Sequence, residues 1–292
     1  MLIRSTLFSR LSYMSRENTE LATKLADVQK QIATGKRLVR MSDEPWTISQ
    51  LHQLREETSV QSVFKDSANQ ATTLLAQAEN GLSQSLNVMS RLKALSVQSA
   101  NDTYSAENLV NLAEEVGNLK ERLVNLANTE FNGRYVFSGQ AYDTVPFDST
   151  FTYVGSTNEF SMDVSAFAKV EAGFDGSDVF QGSVDVFTAI DNFITGLNTD
   201  DSAIIQNAIT DFDAVFDKMA NYLTRIGGEV NIAEDMYDVA TSIEMNLTER
   251  LSSVEDVDVA EALTRFSMLQ TQYQINLQLT AKTRGLSLFE RM

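Results

Sequence analysis

Few residues in this chain have the type and spacing to do chemistry. His52 is the only histidine, cysteine is absent, and carboxylates are the one abundant reactive group, forty of them in 292 residues. A zinc site of the H-E-x-x-H kind needs two histidines and is excluded. Disulfides and thiol chemistry are excluded with the cysteines. No G-x-S-x-G elbow presents a serine nucleophile, and neither a Walker loop nor a G-x-G-x-x-G turn occurs. Asp175-Gly176-Ser177-Asp178 and Asp200-Asp201 gather oxygens that could hold a hard cation weakly, but neither has EF-hand spacing, and acidic turns are the plainer reading. His52, beside Leu51 and Leu54, reads as a surface or half-buried helical residue. Carboxylate pairs are too common here to argue a glycosidase. The residues point to no catalytic site, no cofactor and no metal.

Composition directs attention to long helices instead. Hydrophobic residues make up 43% of the chain, enough to fill a core, and the only prolines are Pro45 and Pro146. The net charge of −17 is unevenly spread: residues 1–40 carry +5, residues 259–292 carry +2, and the remainder carries −24. An acidic body argues against nucleic acid as a ligand. No run is long and apolar enough to span a membrane, and no continuous apolar stretch resembles a secretory signal. Lack of cysteine suits a protein that meets an oxidising exterior.

Apolar periodicity marks the elements that must do the work. From Ser5 to Thr34, steps of four and three select Leu7, Leu11, Met14, Asn18, Leu21, Leu25, Val28 and Ile32. This is one narrow seam on a helix, and it needs a partner helix; the polar Asn18 is the kind of residue that sets register. Gly35 suits a left-handed cap, and Ser42-Asp43-Glu44-Pro45 announces the next helix. Over 46–98 a seam runs Phe64, Ala68, Ala71, Leu75, Ala78, Leu82, Ser85, Met89, Leu92, Ser96. After a turn signal at Asn101-Asp102-Thr103, a third helix shows Leu109, Leu112, Val116, Leu119, Leu123 and Leu126.

At Phe131 the texture changes. Asn132-Gly133 is a turn pair, and Tyr135–Phe137, Phe151–Val154, Phe160–Val164 and Val170–Ala172 favour strands. Residues 131–201 hold eleven acids and two bases, Arg134 and Lys169, and a short helix is expected over Val184–Leu197. A long seam then runs from Phe212 to Val254, a helix on the order of 60 Å, with Gly227-Gly228 inside it as a soft point or a place of close packing. The last helix carries one seam of Val259, Leu263, Phe266, Gln270, Tyr273, Leu277 and Thr280, and a second stripe of Met268, Ile275, Leu279 and Leu286 on nearly the opposite side. A helix apolar on two sides needs two neighbours. One is the first helix and the other is expected from a second copy.

The expected fold is mainly α: long antiparallel heptad helices in a coiled-coil-like bundle, both termini paired, with a small β-containing insertion at the tip. The expected domains are 1–40 with 259–292 (terminal assembly), 41–130 with 202–258 (helical rod), and 131–201 (acidic, β-rich). Leu7, Leu11, Met14, Leu21, Leu25, Val28, Ile32, Phe266, Tyr273, Leu277, Met268, Ile275, Leu279 and Leu286 are the expected assembly interface.

With the helices placed, Gln31-Ile32-Ala33-Thr34-Gly35-Lys36-Arg37 followed by Ser42-Asp43-Glu44-Pro45 resembles the N-terminal signature of the flagellin superfamily. Its acidic-Pro ending is similar to the hook–filament junction members rather than to flagellin, which is Ala-rich there. Asn132–Gly139 resembles the entry to the outer domain of that subfamily. Ser252–Ala262, the Gln-rich last helix and Leu286-Ser287-Leu288-Phe289 resemble its C-terminal signature. The resemblance covers both ends and the domain junctions and is weak over 140–200. It implies a non-enzymatic axial subunit of the bacterial flagellum, extracellular at the hook–filament junction and exported by the flagellar type III system. The implied partners are further copies in a ring, the hook-side junction protein (hook-associated protein 1), flagellin and an export chaperone, with no nucleic acid and no membrane insertion. It also implies that the last helix lines a channel, where Gln270, Gln272, Gln274 and Gln278 would be uncharged wetting groups; ordinary helix surface explains them equally well. Flagellin itself, or a non-flagellar coiled-coil adhesin, are the alternatives.

Overall fold

The computed structural model describes the backbone of residues 2–38, 44–100 and 105–289, and their side chains apart from 2–8, 11 and 284–289. In chain order the elements are α1 (Leu2–Thr34), α2 (Pro45–Ser99), α3 (Ala106–Ala127), β1 (Glu130–Phe131), β2 (Arg134–Tyr135), β3 (Phe160–Asp163), β4 (Lys169–Gly173), α4 (Gly176–Gln181), α5 (Val186–Thr199), α6 (Ser202–Glu255) and α7 (Val259–Phe289). The chain is thus mainly helical, with two small two-stranded sheets. It divides into two compact units, Met1–Ser59 with Glu244–Met292, and Val60–Ile243, so the divisions fall inside α2 and α6. The turn signals at Ser42-Asp43 and Asn101–Thr103 lie outside the described residues.

In the unit of residues 60–243 the heptad seams form the core. On α2 every expected seam position from Ala68 to Ser96 is buried, and Phe64 at its start is half-buried. Small residues let the neighbours close in: a Cβ at Gly81 would stand 2.9 Å from Thr129 Oγ1. Helix α3 runs antiparallel to α2, with Arg91–Glu115 paired at 2.6 Å and Gly81 beside Thr129. Ser105 caps α3 by accepting from the Asn108 N–H. Leu109, Val116 and Leu123 are fully buried, and Leu112, Leu119 and Leu126 pack against the same core. Lys120 sits between them, buried, its ammonium 2.6 Å from Asp191 of α5 and over the Phe151 ring. Helix α6 supplies Phe212, Met219, Ile226 and Ala233, and Lys93 of α2 reaches Asp213 at 2.5 Å. At Gly227 and Gly228 an added Cβ would meet no atom within 4 Å, and the helix continues through them. Among the described residues nothing packs closely on them.

The insertion holds the strands expected at Phe160–Val164 and Val170–Ala172, as β3 and β4, and departs from its expected β-rich form elsewhere. Asn132 (φ 51) and Gly133 (φ 77) make a left-handed pair closing the β1–β2 hairpin, as a two-residue turn of the I′ kind requires. Of Tyr135–Phe137 only Tyr135 is in a strand; Val136 and Phe137 are buried in a turn. Phe151–Val154 forms no strand, only an isolated bridge from Tyr153 to Phe147. The reason is local: Asp148 Oδ1 accepts the N–H groups of Thr150 (2.8 Å) and Thr152 (3.0 Å), and Phe151 adopts φ 61. That Asx turn bends the chain so that its aromatics join a cluster. Phe147 is at its centre, with ring centroids of Tyr153, Phe180 and Phe187 at 5.4, 5.6 and 5.2 Å. Asn128 holds the Phe147 backbone like a strand neighbour, donating to its carbonyl and accepting from its N–H, both at 2.9 Å. The polar row Lys218, Tyr222, Arg225 and Glu229 of α6 fastens the insertion. Lys218 and Tyr222 take Asp178, Arg225 takes Glu159 and Glu171, and Glu229 accepts the Glu171 N–H at 3.0 Å.

Candidate assembly interface

Residues 1–59 and 244–292 form the unit that carries the candidate interface. Helices α1 and α7 pack together antiparallel. On α1 the described seam residues Met14, Asn18, Leu21, Leu25 and Ile32 are half-buried and Val28 is buried, while the positions between them are largely exposed. Leu7, Leu11 and Leu286 lie outside the described side chains. On α7 the inward face runs from the buried Ala262 through the half-buried Phe266, Leu269, Tyr273, Asn276, Thr280 and Thr283, again by alternating four and three. Phe266, Tyr273 and Thr280 belong to the expected seam. Leu263, Gln270 and Leu277 do not join it, and Leu263 and Leu277 are exposed at 49% and 45%. A helix can keep its seven-residue repeat while choosing either of the two flanking rows, and α7 turns the less apolar row to α1. Met268, Ile275 and Leu279 of the second stripe are also exposed. Gln270, Gln272, Gln274 and Gln278 are all exposed.

Asn18 and Thr280 meet in this seam. The Asn18 amide donates to Thr280 Oγ1 at 3.2 Å, and the Thr280 hydroxyl donates to the Asn276 carbonyl. Asn18 Oδ1 is buried with no hydrogen-bond partner among the described residues. A half-satisfied polar contact costs stability, and it marks one register of the two helices above its neighbours.

Below the seam, the turn after α1 is clasped to the turn before α7. Gly35 ends α1 at φ 70, its N–H returning to the Gln31 carbonyl at 2.8 Å. The Arg37 N–H donates to the Glu255 carbonyl (2.8 Å) and the Val257 N–H to the Gly35 carbonyl (3.0 Å), so that Lys36 and Asp256 form an antiparallel bridge. Side chains double the link. Lys36 reaches Asp256 at 2.9 Å and Glu255 at 3.3 Å, and Arg55 of α2 reaches the buried Glu255 at 2.6 Å. Arg37 forks onto both Glu44 oxygens, and Thr47 donates to the same carboxylate. Hydrogen bonds from Ser252 and then Lys36 hold the Asp256 carboxyl below its usual range. The contact with Asp256 holds the Lys36 ammonium above its own. Arg37 and then Thr47 likewise lower Glu44. Asp258 starts α7 by accepting the Ala260 and Glu261 N–H groups. The two sequence signatures at 31–45 and 252–262 are therefore the two halves of one clasp. Arg55 gave no signal in the sequence, since it is one of several charges on a helix; Ala262 and Leu269 were hidden because a neighbouring row is more apolar.

The acidic turns have structural roles. Asp175 caps α4 through the Ser177 N–H, and Asp201 caps α6 through the Ala203 and Ile204 N–H groups. Asp200 ends α5 in the left-handed region. His52 is exposed. Among the described residues no group of three His, Cys, Asp or Glu could hold a metal ion. None of the described helices is long and apolar enough to cross a membrane.

The chain thus has N- and C-terminal helical arms separated by an insertion, and each arm matches a family of known proteins. Residues 5–142 match the bacterial flagellin N-terminal helical region and residues 203–289 the bacterial flagellin C-terminal helical region, and the chain belongs to the flagellin family. Within that family it is similar to flagellar hook-associated protein 3 of Escherichia coli, 27% identical over 287 residues that cover 89% of this chain and 90% of that one. It is also similar to the flagellar filament 33 kDa core protein of Treponema phagedenis, 23% identical over 292 residues, covering 97% and 96%. Its fold is like that of a flagellar hook-associated protein from Vibrio parahaemolyticus, with a TM-score of 0.68 at 16% identity, covering 73% of this chain and 100% of that one.

Proposed function

We propose that this chain is a structural, non-enzymatic axial subunit of the bacterial flagellum that joins the hook side to the filament. The observation that carries this reading is its similarity, along nearly the whole length of both chains, to flagellar hook-associated protein 3. The clasp supports it, because the acidic-Pro signature contributes Glu44 to that joint. In this reading α1 and α7 are the assembly helices. The exposed stripe Met268, Ile275 and Leu279 meets a neighbouring copy, and the helices of 41–130 and 202–258 carry the acidic insertion. Export through the flagellar type III system, a dedicated chaperone, and contacts to the hook-side junction protein and to flagellin belong to the same proposal, as does an extracellular place in the flagellum.

The similarity to a filament core protein keeps one second reading in play, a filament subunit. Copy number decides between them. Quantitative mass spectrometry of purified flagella, with antibody labelling of their position, should find a low copy number confined to one axial level next to the hook. Sheared filaments made mostly of this chain would establish the filament reading instead.

A further inference from the structure

The loop between β3 and β4 carries a fully exposed aromatic ring. Phe167 is 102% exposed, yet its loop is held by hydrogen bonds on both sides of it. The Val164 and Ser165 N–H groups both donate to the Ala168 carbonyl, at 3.1 and 3.2 Å. The Ser165 hydroxyl oxygen accepts the N–H groups of Phe167 (3.2 Å) and Ala168 (2.9 Å). Beneath it, Met162 pairs with Val170 and Asp163 with Lys169. Such a ring has little loop entropy left to lose on binding and a large apolar area still to bury, the properties of an interface anchor.

A groove on α6 has the complementary character. Ala214, Asp217, Lys218, Asn221, Tyr222 and Arg225 line a space of about 460 Å³. The charged ends of Lys218 and Arg225 are turned to Asp178, and to Glu159 and Glu171. This leaves their aliphatic stems, Ala214 and the Tyr222 ring as the apolar walls. Asp217 is exposed at the groove and has no cationic partner among the described residues.

We propose that Phe167 of one copy seats in the α6 groove of a second copy, with Lys169 of the first approaching Asp217 of the second. This rests on the axial-subunit reading. Loop and groove are different patches of one chain, so the contact can run head to tail and repeat from copy to copy, as a ring or helical array requires. The charges select the pairing: Lys169 is one of only two bases among residues 131–201, it lies two residues from Phe167, and the groove presents an unpaired carboxylate. Within its own copy Lys169 meets Asp163 at 3.1 Å, an exposed surface pair that leaves the ammonium accessible to a second carboxylate. Tyr222 offers the incoming ring an aromatic partner, and the stems of Lys218 and Arg225 flank it.

Because the chain contains no cysteine, an added pair reports alone. Full-length chain carrying Ala166→Cys and Asn221→Cys is expressed in place of the native copy, and purified flagella are oxidised. A ladder of disulfide-linked copies is expected. Phe167→Ala, at a position without packing contacts, should cut the ladder by about tenfold, the loss of one aromatic anchor. Lys169→Asp and Asp217→Lys should each weaken the ladder, and the two together should restore it. If the chain is present at the junction but gives no ladder, or a ladder indifferent to Phe167→Ala and to the charge swap, the contact is refuted and the axial reading stands. If the wild-type chain is absent from purified flagella, both fall.

Discussion

At the scale of single residues, the clasp between the two turns carries a pH dependence of its own. Asp256 titrates below its ordinary value of 3.8 in the folded chain, so its contribution is present above that value and is lost as pH falls through the lowered one. Lys36 titrates above its ordinary 10.5, so its contribution is present below that value and is lost as pH rises through the raised one. The Lys36–Asp256 ion pair is therefore complete across the neutral range and is lost at both extremes. Both side chains are exposed, so salt screens the link. Hydrogen exchange at the Arg37 and Val257 amides reads it directly, since these donate across the clasp. Asp256→Asn and Lys36→Met should each speed exchange there at neutral pH and leave the Ile226 region unchanged; unaltered exchange in both variants would mean that the backbone bridge stands without the ion pair. A second prediction concerns Asn18. Asn18→Leu removes a buried, unpartnered oxygen while Thr280 keeps its bond to the Asn276 carbonyl, so the α1–α7 pair should tighten by about 1 kcal/mol. The cost should appear as looser register, visible as disulfides from a cysteine placed on α1 to cysteines placed, one at a time, at more than one level of α7. A variant that is less stable and keeps one register would refute this role.

At the scale of elements, legibility followed packing geometry. Seams on α2 and α6 were readable because a helix buried along one row repeats its apolar residues at heptad spacing, and burial of Leu75, Leu82, Met89 and Leu92 follows that row. On α7 the rule identified Phe266, Tyr273 and Thr280 but mistook the flanking row, because the more apolar row, Leu263 and Leu277, is the one left exposed. Within the insertion, the β-type runs at Phe160–Val164 and Val170–Ala172 form β3 and β4, and the other two misled. Aromatic residues favour strands through burial on a pleated surface, and at Phe147, Phe151 and Tyr153 the same burial is achieved in turns held by Asp148 and Asn128. The signatures located the clasp but not its geometry, because the Lys36–Asp256 contact joins residues 220 apart in sequence. Gly227 and Gly228 lend themselves to a test of element against assembly. Both are helical, and nothing crowds a Cβ at either. Each Gly→Ala change should stabilise α6 by roughly 1 kcal/mol, raising the melting midpoint by about 2–4 °C. If α6 must bend there in the assembled flagellum, the same variants will enter flagella poorly although the isolated chain is more stable. Normal entry would assign the glycines no mechanical role, and a lowered midpoint would contradict the open surroundings.

At the scale of the whole molecule, burial is divided unequally between the units. The fully buried cluster runs from Ala68 to Ala233, inside residues 60–243. Among the described residues the other unit buries only Val28, Leu51, Leu54, Leu247 and Ala262 as hydrophobics, and within it the α1–α7 pair contributes Val28 and Ala262 alone. Helices with a half-buried seam depend on their neighbours, and isolated helices are marginal in water. Chemistry that adds a neighbour to the exposed face of α7 therefore adds stability that the single chain lacks, in proportion to the binding. The expected consequence is a chain whose terminal helices open at far lower free energy than its core. Trypsin acting on a proven monomer should cut first at Arg16, Lys24, Lys30, Arg265 and Lys282 and leave a resistant fragment containing residues 60–243. Deleting residues 1–34 together with 259–292 should leave the main cooperative unfolding transition within a few degrees of its original midpoint while abolishing entry into flagella. Equal resistance of α1, α7 and the core in the monomer would refute this division. So would a truncated chain that loses its main transition, because the buried cluster would then depend on helices that contribute almost nothing to it.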